Sequence, residues 1–101
     1  MAAKAAKALG AALNKSGSLQ ELRFTLSPVS AGSSGLRDLL TTSYTDIKKE
    51  NPTLPILIRE HEQSAATVTA RFPLGEERKA SLEGCKRDEV VDRVKALVGA
   101  T

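Results

Sequence analysis

The chain has 101 residues, 41% of them apolar and 27% charged, which fits one domain with a modest core. Its one cysteine, Cys85, excludes an intramolecular disulfide, and no apolar run approaches the ~18 residues of a membrane span. The net charge of +3 comes from Lys4, Lys7 and Lys15, and the remaining 12 Lys and Arg balance the 12 Asp and Glu, so the composition gives no sign of a nucleic-acid-binding face.

The N-terminal segment is alanine-rich and predicts a helix over residues 2–13, "AAKAAKALGAAL". Leu9 and Leu13 fall opposite the three lysines, as in an amphipathic helix. Two interpretations stay open: a mitochondrial targeting segment, or a helix that docks its leucines on the domain or on a partner. The following "NKSGS" predicts a linker, so the chain divides into a helix and linker at 1–18 and a domain at 19–101.

A strand, a helix and a second strand follow the linker. Residues 19–26 alternate apolar and polar side chains, which predicts a half-buried strand. Ser33 or Ser34 offers a cap for a helix that ends before Pro52, with apolar residues at helical spacing: Leu36, Leu39, Leu40, Tyr44 and Ile47. The continuous apolar run "LPILI" at 54–58 predicts a strand that is covered on both faces.

The last third of the chain predicts a hairpin and a helix. "TVTARF" at 67–72 alternates as a strand does, "PLGEE" predicts a turn, and "RKASL" predicts a short return strand. A final helix is indicated by five apolar residues on one arc, Val90, Val91, Val94, Leu97 and Val98.

The order helix, β, α, β, β, β, α predicts an α/β fold. It is the outline of a thioredoxin-like domain with a four-stranded mixed sheet and helices on both faces, to which the N-terminal amphipathic helix is added.

The loop "SPVSAGSSG" after the first predicted strand occupies the place where thioredoxin-like enzymes carry their redox-active cysteines. It contains no cysteine, and thiol–disulfide exchange requires a thiolate there. A phosphate cradle is the second option, but the glycine spacing matches neither common phosphate-binding motif. The sequence therefore favours a plain connector with serine capping.

Two other residues have chemical potential. His61 lies between Glu60 and Glu62 without a second metal ligand at suitable spacing, which favours a solvated loop histidine over a base or a metal site. Cys85 favours packing against Val90 over a reactive thiol. A thiol-dependent enzyme that uses Cys85 alone is a further hypothesis with almost no support.

Three motifs carry a family resemblance: "GLRDLL", "KKENPTLPILIRE" and "ARFPLGEE". Together they resemble the small thioredoxin-fold accessory subunits of mitochondrial respiratory complex I, the NADH:ubiquinone oxidoreductase. The resemblance covers residues 19 to about 98. That family shares its domain type with certain mitochondrial ribosomal proteins, which supply the alternative function.

The resemblance implies a non-catalytic accessory subunit with no cofactor, metal or small-molecule substrate of its own and no nucleic-acid partner. It implies a place on the matrix side of the mitochondrial inner membrane, in the peripheral arm, without a membrane span. The expected partners are other complex I subunits, foremost the large iron-sulfur core subunit.

Individual family positions are changed or kept in this sequence. Two cysteines that can pair in family members are replaced by Ser27 and His61, so a redox switch is not expected. Lys86 replaces a capping serine, which should leave the last helix less well held at its start. Arginines of the family match as candidate interface or scaffold residues: Arg37, Arg59 and Arg71.

Overall fold

Three helices and four strands follow the predicted order in the computed structural model, which describes the backbone of residues 2–15 and 17–99 and the side chains of 9–15 and 17–99. Their bounds are α1 Ala2–Lys15, β1 Glu21–Leu26, α2 Ser34–Glu50, β2 Ile56–Glu60, β3 Thr67–Arg71, β4 Glu77–Ser81 and α3 Arg87–Gly99. Short 3-10 turns at Ala31–Ser33 and Pro73–Gly75 complete the described elements.

The strands form one mixed sheet in the order β2-β1-β3-β4. β1 runs parallel to β2 and antiparallel to β3, and β4 returns antiparallel to β3. Phe24 at the centre of β1 is opposite Ile58 of β2 and Val68 of β3. The α/β class, the four-stranded mixed sheet and the thioredoxin-like order of elements are confirmed.

One face of the sheet carries the core. The three apolar side chains of β1, at Leu22, Phe24 and Leu26, are buried, whereas Arg23 and Thr25 between them are partly exposed. The buried side chains of all three helices join the same cluster as those of β1 and β3. Successive side chains of a strand point to opposite faces, and those on the other face are exposed or only partly buried in β1, β3 and β4.

The expectation that helices cover both faces is therefore wrong. α2 and α3 contact each other, and α1 contacts both, so the three helices form a single layer. The segment from 61 to 66 joins β2 to β3 as a turn and contains no helix that could reach the opposite face. The open face is mostly polar, and covering it with an apolar helix would remove charged side chains from water, which is costly.

α1 docks on the domain itself. Leu9 and Leu13 are buried in the common core, and the Asn51 side-chain amide at the end of α2 donates to the Gly10 carbonyl at 3.0 Å. Of the two interpretations of the amphipathic pattern, these contacts support the helix that docks its leucines on the domain. Ser16 of the predicted linker and the side chains of Lys4 and Lys7 lie outside the described residues. The division into a segment 1–18 and a domain 19–101 stays a prediction.

β2 is an edge strand, so the expectation that it is covered on both faces is wrong. Ile56 and Leu57 are only partly buried, and Ile58 remains 40% exposed. The strand begins after Pro55, which has no N–H for a ladder hydrogen bond. A continuous run of apolar residues in the sequence did not distinguish an edge strand from a central strand of the sheet.

The β3–β4 turn holds a leucine in a strained conformation. Leu74 has φ 66° and ψ 22°, and its side chain is fully exposed. The turn is fixed at its base, where the Phe72 N–H donates to the Glu76 carbonyl at 2.7 Å and the Arg78 guanidinium lies 4.4 Å from the centre of the Phe72 ring.

Substituting Leu74→Asn should stabilise the free chain. Left-handed backbone costs a leucine about 1–2 kcal/mol, asparagine tolerates it far better, and no buried contact is lost. We expect the free energy of unfolding to rise by about 0.5–1 kcal/mol, which urea denaturation would measure. Leu74→Ala keeps the Cβ and should give no comparable gain. A Leu74→Asn variant less stable than the parent would contradict this account of the turn.

Candidate functional site

The loop between β1 and α2, residues 27–33, is held by a buried serine. The Ser27 hydroxyl donates to the Glu62 carbonyl at 2.9 Å and accepts the N–H groups of Val29 at 3.2 Å and Ser30 at 3.0 Å. The hydroxyl thereby joins the end of β1, the loop itself and the turn after β2. A residue that satisfies three backbone groups in this way is a structural element of the loop.

Ser33 serves the same loop rather than the helix. Its hydroxyl accepts the Ser27 N–H at 2.9 Å, and it makes no side-chain capping bond to α2, although it occupies the N-cap position. Ser30 instead caps the short 3-10 turn by accepting the Gly32 N–H at 3.2 Å. The expected serine capping is thus present one turn earlier than predicted.

Arg37 fastens the loop from the first turns of α2. One of its terminal nitrogens, Nη1, donates to the Ser27 carbonyl at 2.8 Å and to the Ser30 carbonyl at 2.6 Å. The side chain is partly buried. The guanidinium therefore acts as a scaffold within this chain, which is one of the two roles that the sequence left open. A contact with a partner stays a prediction.

The N-terminus of α2 is closed by the segment before α3. A Cβ placed on Gly35 would lie 1.9 Å from the Cys85 carbonyl oxygen, and the Gly84 N–H donates to the Gly32 carbonyl at 2.8 Å. Only glycine permits this approach at residue 35. Because a carbonyl oxygen lies against the first turn of α2, the geometry disfavours an anion there, in agreement with the plain-connector interpretation.

Cys85 is buried and belongs to the core cluster that also contains Val90. A thiol without access to solvent is a poor nucleophile, which supports the packing interpretation. At the start of α3 the Lys86 N–H donates to the Glu89 carboxylate at 3.2 Å. Half of a capping box is therefore present even though the hydroxyl of the capping serine is missing.

His61 is exposed in the turn after β2. Its Nδ1 accepts the Gln63 N–H at 3.1 Å, so one ring nitrogen is used by the turn. Glu60 and Glu62 line the same open surface. Within the part of the chain that the structure describes, no three His, Cys, Asp or Glu side chains are grouped as a metal site.

The open face of the sheet contains two of the three matched arginines. Arg59 is opposite Thr25, and Arg71 lies between Glu21 and Glu77 on the neighbouring strands. We define the open face as the outward side chains of the four strands: Glu21, Arg23, Thr25, Leu57, Arg59, Thr67, Thr69, Arg71, Glu77, Lys79 and Ser81. Arg37 lies apart from it, on α2.

The charged side chains of the open face differ in whether they have a partner. The Arg23 side chain donates to Glu21 at 3.0 Å, whereas the exposed side chain of Arg59 forms no hydrogen bond or ion pair with the residues that the structure describes. Sequence reasoning did not single out Arg23 or Lys79. The alternation of Thr and Arg with apolar residues in "LRFTL" and "TVTAR" is the signal that could have found this face.

Among the described residues, no helix has the length and apolar character needed to cross a bilayer.

The sequence matches one family model and several curated proteins of known name. The sequence model of the "Mitochondrial ribosomal protein L51 / S25 / CI-B8 domain" family matches residues 36–87. The chain is 42% identical over 89 residues to NADH dehydrogenase (ubiquinone) 1 alpha subcomplex subunit 2 of Mus musculus, covering 88% of this chain and 86% of the mouse protein.

Two further relatives come from a fungus and a plant. The NADH-ubiquinone oxidoreductase 10.5 kDa subunit of Neurospora crassa is 38% identical over 80 residues, which covers 79% of this chain and 85% of that protein. The Arabidopsis thaliana protein with the same name as the mouse one is 38% identical over 86 residues, covering 83% of this chain and 89% of the relative.

Substituting Arg37→Ala should loosen the 27–33 loop and destabilise the chain. Hydrogen bonds to a charged donor contribute about 1.5–3 kcal/mol, and the substitution leaves two loop carbonyls without that donor. We expect urea denaturation to show a loss of about 2 kcal/mol in the free energy of unfolding.

Arg59→Ala is the matched control, because it removes an exposed arginine side chain that binds none of the described residues. It should change the free energy of unfolding by less than about 0.5 kcal/mol. Equal effects of the two substitutions would contradict the scaffold role of Arg37.

Proposed function

Since this chain belongs to the L51 / S25 / CI-B8 domain family, as a relative of the NADH dehydrogenase 1 alpha subcomplex subunit 2 proteins, we propose that it is an accessory subunit of respiratory complex I. The observation that carries the proposal is the identity of 38–42% to relatives named as subunits of this enzyme, over most of each chain.

The subunit is non-catalytic in this proposal. The loop where a thioredoxin-like enzyme presents its thiols holds Ser27, whose hydroxyl is already bonded to three backbone groups. The one cysteine, Cys85, is buried. Both observations support a chain that contributes surface and shape rather than redox chemistry.

The proposed location is the peripheral arm on the matrix side of the mitochondrial inner membrane, held by protein contacts alone. The large iron-sulfur core subunit is the proposed main partner. The open face supports a protein interface, since the exposed side chain of Arg59, which has no partner among the described residues, is suited to anchor a contact. Arg71 belongs to the same proposed interface, and Arg37 supports it indirectly by holding the 27–33 loop.

A mitochondrial ribosomal protein is the second candidate, and the family description favours it only by its wording. Beyond residue 18 basic and acidic residues are equal in number, which gives little support to a surface that binds RNA.

Native gel separation of gently solubilised mitochondria distinguishes the two candidates. The chain should migrate with NADH dehydrogenase activity, and deleting it should lower the abundance of the assembled enzyme. Migration with ribosomal RNA would replace the proposed function by the second candidate. An assembled enzyme of unchanged abundance and arm composition after deletion would contradict the accessory role.

Reversing the charge of Arg59 should weaken incorporation without unfolding the chain. In mitochondria that lack the parent chain, an Arg59→Glu variant should enter the NADH dehydrogenase band at least about tenfold less, a loss of about 1.4 kcal/mol in binding, because a like-charge contact replaces an anchor.

Lys49→Glu makes the same charge change on an exposed residue of α2 and should incorporate like the parent. A similar loss in both variants would mean that net charge, rather than the open face, determines incorporation.

A further inference from the structure

The two edges of the sheet differ in how they are protected. β4 forms one edge and carries Glu77, Arg78 and Lys79, the charged residues with which proteins commonly block unwanted strand pairing. β2 forms the other edge and begins with the consecutive apolar residues Ile56, Leu57 and Ile58. Among the described residues, no strand pairs with this second edge.

The backbone of β2 has a defined set of free groups. The Leu22 N–H donates to the Pro55 carbonyl at 3.0 Å, and the His61 N–H donates to the Leu26 carbonyl at 3.1 Å, so residues 55 and 61 direct these groups toward β1. Successive residues of a strand direct their backbone groups to opposite edges. Ile56, Ile58 and Glu60 therefore present their N–H and C=O groups outward.

Side chains at this edge are also partly exposed to solvent. Ile58 is 40% exposed beside a shallow groove that Leu26 and Leu40 line on the helix side. On the open-face side, the exposed side chain of Arg59 has no partner among the described residues. The apolar run was expected to be covered on both faces, and the part of the chain that the structure describes does not provide that cover.

A second copy of this chain does not neutralise the charge of Arg59. In an antiparallel pairing of two β2 strands, residues opposite each other lie on the same face of the sheet. The outward side chains of β2 on the open face are Leu57 and Arg59, so Arg59 meets no carboxylate of β2 in any such register. Charge complementarity therefore favours a strand of different sequence.

We propose that the outer edge of β2 binds an extended segment of a partner subunit, which adds a fifth strand to the sheet. The segment places an apolar side chain beside Ile58 in the groove and a carboxylate beside Arg59 on the open face. Its main chain pairs with the outward groups of Ile56, Ile58 and Glu60. This inference rests on the proposed function and specifies how the partner is held.

The test compares two substitutions of Ile58 that shorten the side chain and differ in the backbone N–H. Ile58→Ala keeps the outward N–H, whereas Ile58→Pro removes it without affecting the ladder to β1. Both are expressed in mitochondria that lack the parent chain, and incorporation into the NADH dehydrogenase band is measured. We expect Ile58→Pro to incorporate at least about tenfold less than Ile58→Ala, a difference of about 1.4 kcal/mol, with both chains folded.

Equal incorporation of the two folded variants would overturn the strand addition while leaving the proposed function in place. If Ile58→Pro fails to fold, Glu60→Pro against Glu60→Ala provides the same comparison at an exposed side chain, with the same two outcomes. A purified parent chain that forms dimers lost in the proline variant would overturn the proposal in favour of a second copy. A parent chain absent from the NADH dehydrogenase band would overturn the proposed function, and this inference with it.

Discussion

The alternation of β1 determines which parts of this molecule are buried and which remain available. As a central strand it has a neighbour on each edge, and its apolar side chains all point to the layer of three helices. Its polar side chains consequently point to the open face, which none of the three described helices covers. The core and the open face both follow from this single-sided burial, because an apolar helix on the second face would remove charged side chains from water.

The 27–33 loop shows how a site for thiol chemistry is replaced by a structural connection. Ser27, Ser33 and Arg37 bind backbone groups of the loop, and Gly35 allows the segment before α3 to close over the start of α2. The side chains of Ser27, Ser30, Ser33 and Arg37 are all hydrogen-bonded to backbone groups, so none of these four is a free reactive group. The position that would be an active site in an enzyme of this fold here stabilises the scaffold that presents the sheet.

The local spacing of apolar residues was sufficient to predict the helices and strands. It did not predict burial or side-chain contacts that depend on segments distant in the sequence. The helices and strands were predicted in the right order, because apolar spacing and stop signals such as Pro52 are local. Whether other elements cover both faces of "LPILI" depends on the strand order and on whether residues 61–66 form a helix. Neither can be read from the residues of the strand itself. The role of Ser33 and the inward direction of Arg37 depend on the path of the folded loop. The two arginines of the open face were found through a family resemblance, whereas their shared face required the strand register.

Hydrogen–deuterium exchange of this chain, free and within the assembled NADH dehydrogenase, tests most directly whether the sheet side is the docking side. The backbone amides of Ile58 and Glu60 should exchange rapidly in the free chain and slowly in the assembly, because they point away from β1 and gain a partner only there. Exchange in α2 and α3 should change little. Slower exchange confined to the helical layer, with Ile58 and Glu60 unchanged, would contradict this docking and would assign the interface to the opposite side of the molecule.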